Sequence, residues 1–199
     1  MEDLERYRKK ILEWGADDAK IIPSDDVIID MRVRAKCHYA CEDFGTNANC
    51  PPHVFDIPQV REMVDSFRYA IIFKLELPPE LIAGDLTDEQ IKERRKYALK
   101  RYEIIGRLEL EAFDDGYVLA LGFAGGPCSK YLCQGLECSA IKEGGTCRYP
   151  MLSRPSMEAM GMDVYSMATN VGWDIYPVGS HTSPNDIPHG VFVGIVFID

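Results

Sequence analysis

Seven cysteines fall into two tight sets and occur nowhere else in the chain. Cys37, Cys41 and Cys50 form C-x3-C-x8-C, and Cys128, Cys133, Cys138 and Cys147 form C-x4-C-x4-C-x8-C. Residues 51–127 carry no cysteine. Cysteines used as small core hydrophobes would scatter along the sequence. These sit in loop compositions instead: Asp-Phe-Gly-Thr-Asn-Ala-Asn-Cys-Pro-Pro-His over 43–53, and a glycine-punctuated run from Gly122 to Pro150. Such loops gather several thiolates around one point and leave backbone N–H groups free to face them. The chain must therefore present two cysteine loops, 37–53 and 122–150, and metal or cluster ligation is the chemistry they fit.

An odd cysteine count and an acidic, polar start (Met1-Glu2-Asp3-Leu4-Glu5-Arg6) argue against an exported disulfide framework. Structural zinc sites use close C-x2-4-C pairs, and neither set contains a C-x2-C. Pro51 directly follows Cys50 and Pro150 lies three residues after Cys147, as proline often follows the last cysteine of a ferredoxin-type loop. The second set thus favours a 4Fe–4S cluster, with zinc as the alternative. Three thiolates in the first set could hold a second cluster with one iron open, and Glu42, Asp43, His38 and His53 are candidates for the fourth position. The opening C-x3-C resembles radical enzymes that cleave S-adenosylmethionine, but those place the third cysteine after two residues, and here the gap is eight. One site shared by both loops, with surplus free cysteines, is a further arrangement the sequence allows.

The scaffold reads as one α+β domain over 1–199: a mainly antiparallel or mixed sheet of about four strands with packed helices. Helices are expected over 2–14, 56–67 and 87–113, the last two opened by Asp56 and by the Thr87/Gln90 capping box. A fourth is expected from Arg154, with Met157, Met160, Val164, Met167, Ala168 and Val171 at helical spacing. These methionines read as core fillers. Strands are expected over 19–22, 69–77, 117–123, 174–178 and 191–198, the last apolar enough to be central, and 27–34 is expected to be extended. The charges Lys92, Glu93, Arg94, Arg95, Lys96 and Lys100 read as a solvated helix face. His181 and His189 fall in a polar loop that runs from Ser180 to Pro188 and just beyond it.

With 199 residues, a net charge of −10 and a pI near 4.9, the chain lacks the basic surface that nucleic-acid binding needs. No apolar run approaches the length of about 18 residues that marks a membrane span. G-x-S-x-G, Walker-type and H-E-x-x-H motifs are absent. Gly122-Phe-Ala-Gly-Gly follows a strand as a dinucleotide loop would, but a cysteine loop follows it where a helix should. Nothing demands a flavin or cobalamin.

Taken together, Cys37-x3-Cys41, Asn49-Cys50-Pro51-Pro52, the Cys128–Cys147 loop and Arg154-Pro155-Ser156-Met157-Glu158-Ala159-x-Gly161 resemble an uncharacterised family of predicted metal-binding proteins found mostly in anaerobic prokaryotes. The resemblance runs from about residue 19 to the end. It implies metal or iron–sulfur binding by the seven cysteines in a cytoplasmic, oxygen-poor setting, and it supplies no reaction. Three functions are expected from the residues. The first is a redox or accessory iron–sulfur protein with a redox partner protein, its cluster charge offset by Arg148, Arg154 and the helix start beside them. The second is an enzyme working at an open iron. The third is a structural zinc module.

Overall fold

The computed structural model describes residues 1–142, 144–179 and 181–198. Four strands form one antiparallel sheet in the order β1-β2-β4-β3: β1 (Asp18–Pro23), β2 (Tyr69–Leu77), β3 (Leu121–Phe123) and β4 (Gly190–Ile198). Six α-helices accompany it among the described residues: α1 (Glu2–Glu13), α2 (Met31–Ala40), α3 (Ile57–Asp65), α4 (Asp88–Asp114), α5 (Cys128–Tyr131) and α6 (Val164–Asn170). The fold is α+β, as the residue patterns indicate.

Side chains alternate across a strand, and that alternation splits the core into two layers. Ile71, Phe73, Leu75 and Leu77 of β2 join Phe192, Val196 and Ile198 of β4 under α1 and α4. Ala70, Ile72, Val193, Ile195 and Phe197 face the other way, onto α3, α6 and a cluster of Met157, Met160, Met162 and Met167. Because β4 pairs with β2 on one side and β3 on the other, it is the central strand covered on both faces that its apolar run indicates. The methionines fill core gaps, as read.

Several expected elements are shorter or different, each for a local reason. The stretch 27–34 is not one extended run, because the Asp30 side chain accepts from Arg32 N and starts α2, which carries Cys37. None of the ten residues of α2 is buried, so no apolar stripe announces it. The helix expected from Arg154 begins only at Val164, capped by Asp163. Gly161 takes a φ of +79° between the two stretches, and a Cβ there would stand 2.4 Å from Ile57 Cδ1. Residues 174–178 pair with no strand, and β3 keeps only the last three residues of its expected span. No helix among the described residues is long and apolar enough to cross a membrane.

Candidate metal centre

Both cysteine loops are pinned at their bases. On leaving β3, Ala124 pairs with Ser156: Ala124 N donates to Pro155 O at 2.9 Å and Met157 N to Ala124 O at 2.8 Å. The chain from Gly125 to Pro155 is thereby closed into a loop that begins with the short helix α5. The first loop follows α2, whose start is tied to the 161–163 segment by Asp30 N to Gly161 O and Asp163 N to Ile28 O, each 2.8 Å. It then turns tightly, with Gly45 N on Pro51 O at 2.8 Å and Cys50 N on Asn47 O at 3.1 Å.

All seven cysteines are free thiols. Cys128, Cys133, Cys138 and Cys147 line one cavity of about 260 Å³, together with Asn47, Asn49, Arg148 and Ser153. The first three of these thiols are buried and Cys147 is half-buried. Among the described residues no three His, Cys, Asp or Glu side chains gather closely enough to hold a single metal ion. The four cysteines line the wall of this cavity. Soft sulfur donors suit zinc and iron–sulfur groups alike. Tyr149 N donates to Cys147 Sγ at 3.3 Å, the kind of N–H to sulfur bond that tunes a thiolate centre.

The two loops meet through two asparagines, Asn49 of the Asn49-Cys50-Pro51-Pro52 motif and Asn47, which the sequence reading did not single out. Asn47, fully buried, donates from Nδ2 to Cys50 Sγ at 3.2 Å and to Ser129 Oγ at 3.4 Å, and its Oδ1 accepts from Asn49 N at 3.1 Å. Asn49 Nδ2 donates to Ser153 Oγ at 2.6 Å and to Cys128 Sγ at 3.5 Å. Their signal lay in the Thr-Asn-Ala-Asn-Cys string, where two amides immediately precede a cysteine. Ser129 Oγ also donates to Asp43 Oδ1 at 3.4 Å.

The first set does not share one cavity. Cys37 and Cys41 line a second, larger one with Glu42 and Asp43, whereas Cys50 is buried beside Asn47 and lines neither cavity. Of the four candidates for a fourth position, the two histidines stand apart. His38 is exposed between the rings of Tyr39 and Phe44, and His53 is exposed on a separate hollow near Phe55. Burial raises the thiol pKa of Cys37, with the charges of Cys41 and Glu158 adding to it. Burial likewise pushes Cys50 up to about 11 against the opposing Asn47 hydrogen bond, and raises Cys128 against bonds from Ser153 and Asn49. A metal bound through these thiols would release their protons on loading.

The two arginines read beside the second set fall in different places. Arg148 does line the four-cysteine cavity, with Nη1 on Glu137 O at 2.8 Å. Arg154 does not open a helix and is not available to offset charge there, because its guanidinium is clamped on Glu109 of α4. The charged face of α4 is not wholly solvated either: Arg95 Nε donates to Tyr131 O at 2.7 Å, and Arg94 lines the larger cavity. Arg101, unread in the sequence, is 2% exposed. Its signal was its place among Ala98, Ile105, Leu108 and Ala112, a cation on an apolar stripe.

No curated protein and no solved structure matches the chain. Residues 20–198 match the family described as "Predicted metal-binding protein (DUF2284)", and with nearly the whole sequence covered, the chain belongs to that metal-binding family of unknown function.

Proposed function

We propose that this metal-binding protein carries a 4Fe–4S cluster on Cys128, Cys133, Cys138 and Cys147 and serves a redox or accessory role in the cytoplasm of an anaerobe. The observation that carries the reading is the shared cavity of about 260 Å³ whose wall holds all four thiols. A thiolate-bound cluster would supply one-electron chemistry there, at a potential set by burial and by hydrogen bonds to sulfur. Asn49, Ser153 and Tyr149 N–H are the groups of this chain positioned to make such bonds. A redox partner protein follows from that role.

The test is metal and acid-labile sulfide analysis of protein purified without oxygen, with a visible spectrum. About four irons and four sulfides per chain with broad brown absorption supports one cluster. Loss of iron in each single Ala variant of Cys128, Cys133, Cys138 and Cys147 assigns it to the second loop. Stoichiometric zinc in a colourless protein replaces the redox reading with the structural one.

One observation favours a second reading, catalysis at a metal held by the first set. Cys37 and Cys41 face the larger cavity, beside the carboxylates of Glu42 and Asp43. About eight irons per chain, falling to about four in Cys37→Ala or Cys50→Ala, supports it. An unchanged count in those variants removes it.

A further inference from the structure

The larger cavity measures about 790 Å³ and lies at the start of β4, bounded by α2, α4 and the segments 157–165 and 175–178. That is within the range of about 300–1,000 Å³ usual for small-molecule sites. Tyr131, Tyr165, Tyr176 and Phe192 give it an aromatic wall.

Lys36, Arg94 and Arg101 line it together with the carboxylates of Glu42, Asp43, Glu158 and Asp163, and some of these groups are incompletely partnered. Arg101, 2% exposed, donates from Nη2 to Gly125 O and from Nη1 to Val193 O at 3.5 Å, while its Nε has no partner. The guanidinium carbon stands 4.7 Å from the Phe192 ring centroid, and among the described residues no carboxylate pairs with it. Two glycines make room for this side chain. A Cβ on Gly125 would meet Arg101 Nη1 at 2.8 Å, and one on Gly194 would meet Arg101 Cγ at 3.3 Å. Arg94 Nε, about two helical turns earlier on α4, is also buried without a partner. On the cavity wall Glu158 presents a buried Oε2 that accepts from nothing.

A desolvated guanidinium without a counter-charge is costly, and so is a buried carboxylate oxygen without a donor. A ligand bringing one anionic head and one donor would satisfy both. Guanidinium forks match carboxylates in particular. We propose that this cavity binds a small organic acid with a hydroxyl or amino group and an apolar body. Arg101 and Arg94 hold its carboxylate, Glu158 accepts from its donor, and the aromatic wall covers its apolar part. The proposal goes beyond the metal reading and does not rest on it.

The test uses the full metal-loaded chain purified without oxygen, titrated calorimetrically with mandelate, phenylalanine, phenylacetate and mandelamide. Mandelate or phenylalanine is expected to bind. Phenylacetate, lacking the donor, and mandelamide, lacking the charge, are each expected to bind at least about ten-fold more weakly. Arg101→Met should weaken the acids by about ten- to a hundred-fold. Arg94→Met provides the same readout at a less buried position should Arg101→Met not fold. Glu158→Ala should bring mandelate down to the affinity of phenylacetate. Failure of all four probes to bind at millimolar concentration, or affinities unchanged in both arginine variants, overturns the proposal. Iron measured on the same samples separates the two readings: the cluster reading stands or falls on the iron count, and this site on the acid affinities, whichever way the iron count falls.

Discussion

Asn47 is the residue on which the two cysteine loops converge. Fully buried, it touches Cys50, Asn49 and Ser129, and its Oδ1 lies 3.8 Å from Cys128 Sγ. A buried amide with this many partners costs more to remove than its own bonds are worth, because the partners are left unsatisfied. Asn47→Ala is expected to destabilise the chain by about 1–3 kcal/mol, read as a fall in the urea midpoint at constant slope. The same variant should bind less iron, since among the described residues Asn47 is the one that hydrogen-bonds both Cys50 and Ser129. An unchanged midpoint would mean that the loops are held together elsewhere. The cysteines themselves were legible from spacing alone, because clustering in glycine-rich segments leaves few other roles. Asn47 was not, nor was the contact role of Asn49, because an amide in a polar loop reads as ordinary turn chemistry until its partners are known. Arg101 was hidden for the opposite reason: a run of charges along α4 masks the one that turns inward.

At the scale of elements, α4 is the spine to which the second loop is fastened, and Glu109 is the fastening. Its Oε1 accepts from Gly122 N of β3 at 2.6 Å, and its carboxylate clamps Arg154 from the far end of the loop. Gly122 is required by that close approach, since a Cβ there would stand 2.2 Å from Ile105 Cγ2. Gly122→Ala should push β3 off α4 at a cost of about 1–3 kcal/mol, measured by thermal unfolding. A variant as stable as the parent would show that β3 can shift without loss. A second tie joins the turn after α6 to the sheet edge: Trp173 Nε1 donates to Asp18 Oδ2 of β1 at 2.8 Å. Burial of Asp18 raises its pKa, but the bonds from Trp173, Lys20 and Ala19 N outweigh that and leave it below the ordinary value. A carboxyl depressed in the fold adds stability above its unfolded pKa of about 3.9, and that increment disappears as pH falls through the folded value. In a Trp14→Phe background, Trp173 fluorescence should therefore change as the solution is acidified below about pH 4, and Asp18→Asn should abolish that transition. Persistence of the transition in the variant would assign it to other carboxylates. Elements with a stripe or a cap at both ends, such as α4 and β2, were readable from sequence. Helix α2 was not, having one cap and no buried face.

On the scale of the whole molecule, a well-packed sheet carries a poorly self-supported loop. Among the described residues the loop from Gly125 to Pro155 contains one four-residue α-helix and one 3-10 turn at Ser139–Ile141, and its stretches 134–137 and 144–146 are exposed. Its outer part is held by Arg148 on Glu137 O, Ser139 Oγ on Thr146 O at 2.7 Å and the Lys142–Glu137 ion pair at 2.7 Å. That ion pair is exposed, and such pairs contribute only about 0–1 kcal/mol. A metal group bonded to four points of this loop would join them, because its binding free energy acts as folding free energy for the segment. Lys142 and Arg148 are exposed cleavage sites for trypsin within that segment. Protein loaded with metal should resist cutting there, whereas protein stripped by a chelator should be cut first between 142 and 148, with the sheet left intact. Mass spectrometry of the fragments over time reads the difference directly. Equal cutting in both states would mean that the loop stands on its own contacts, and the four thiols around its cavity would then need a purpose other than clamping it.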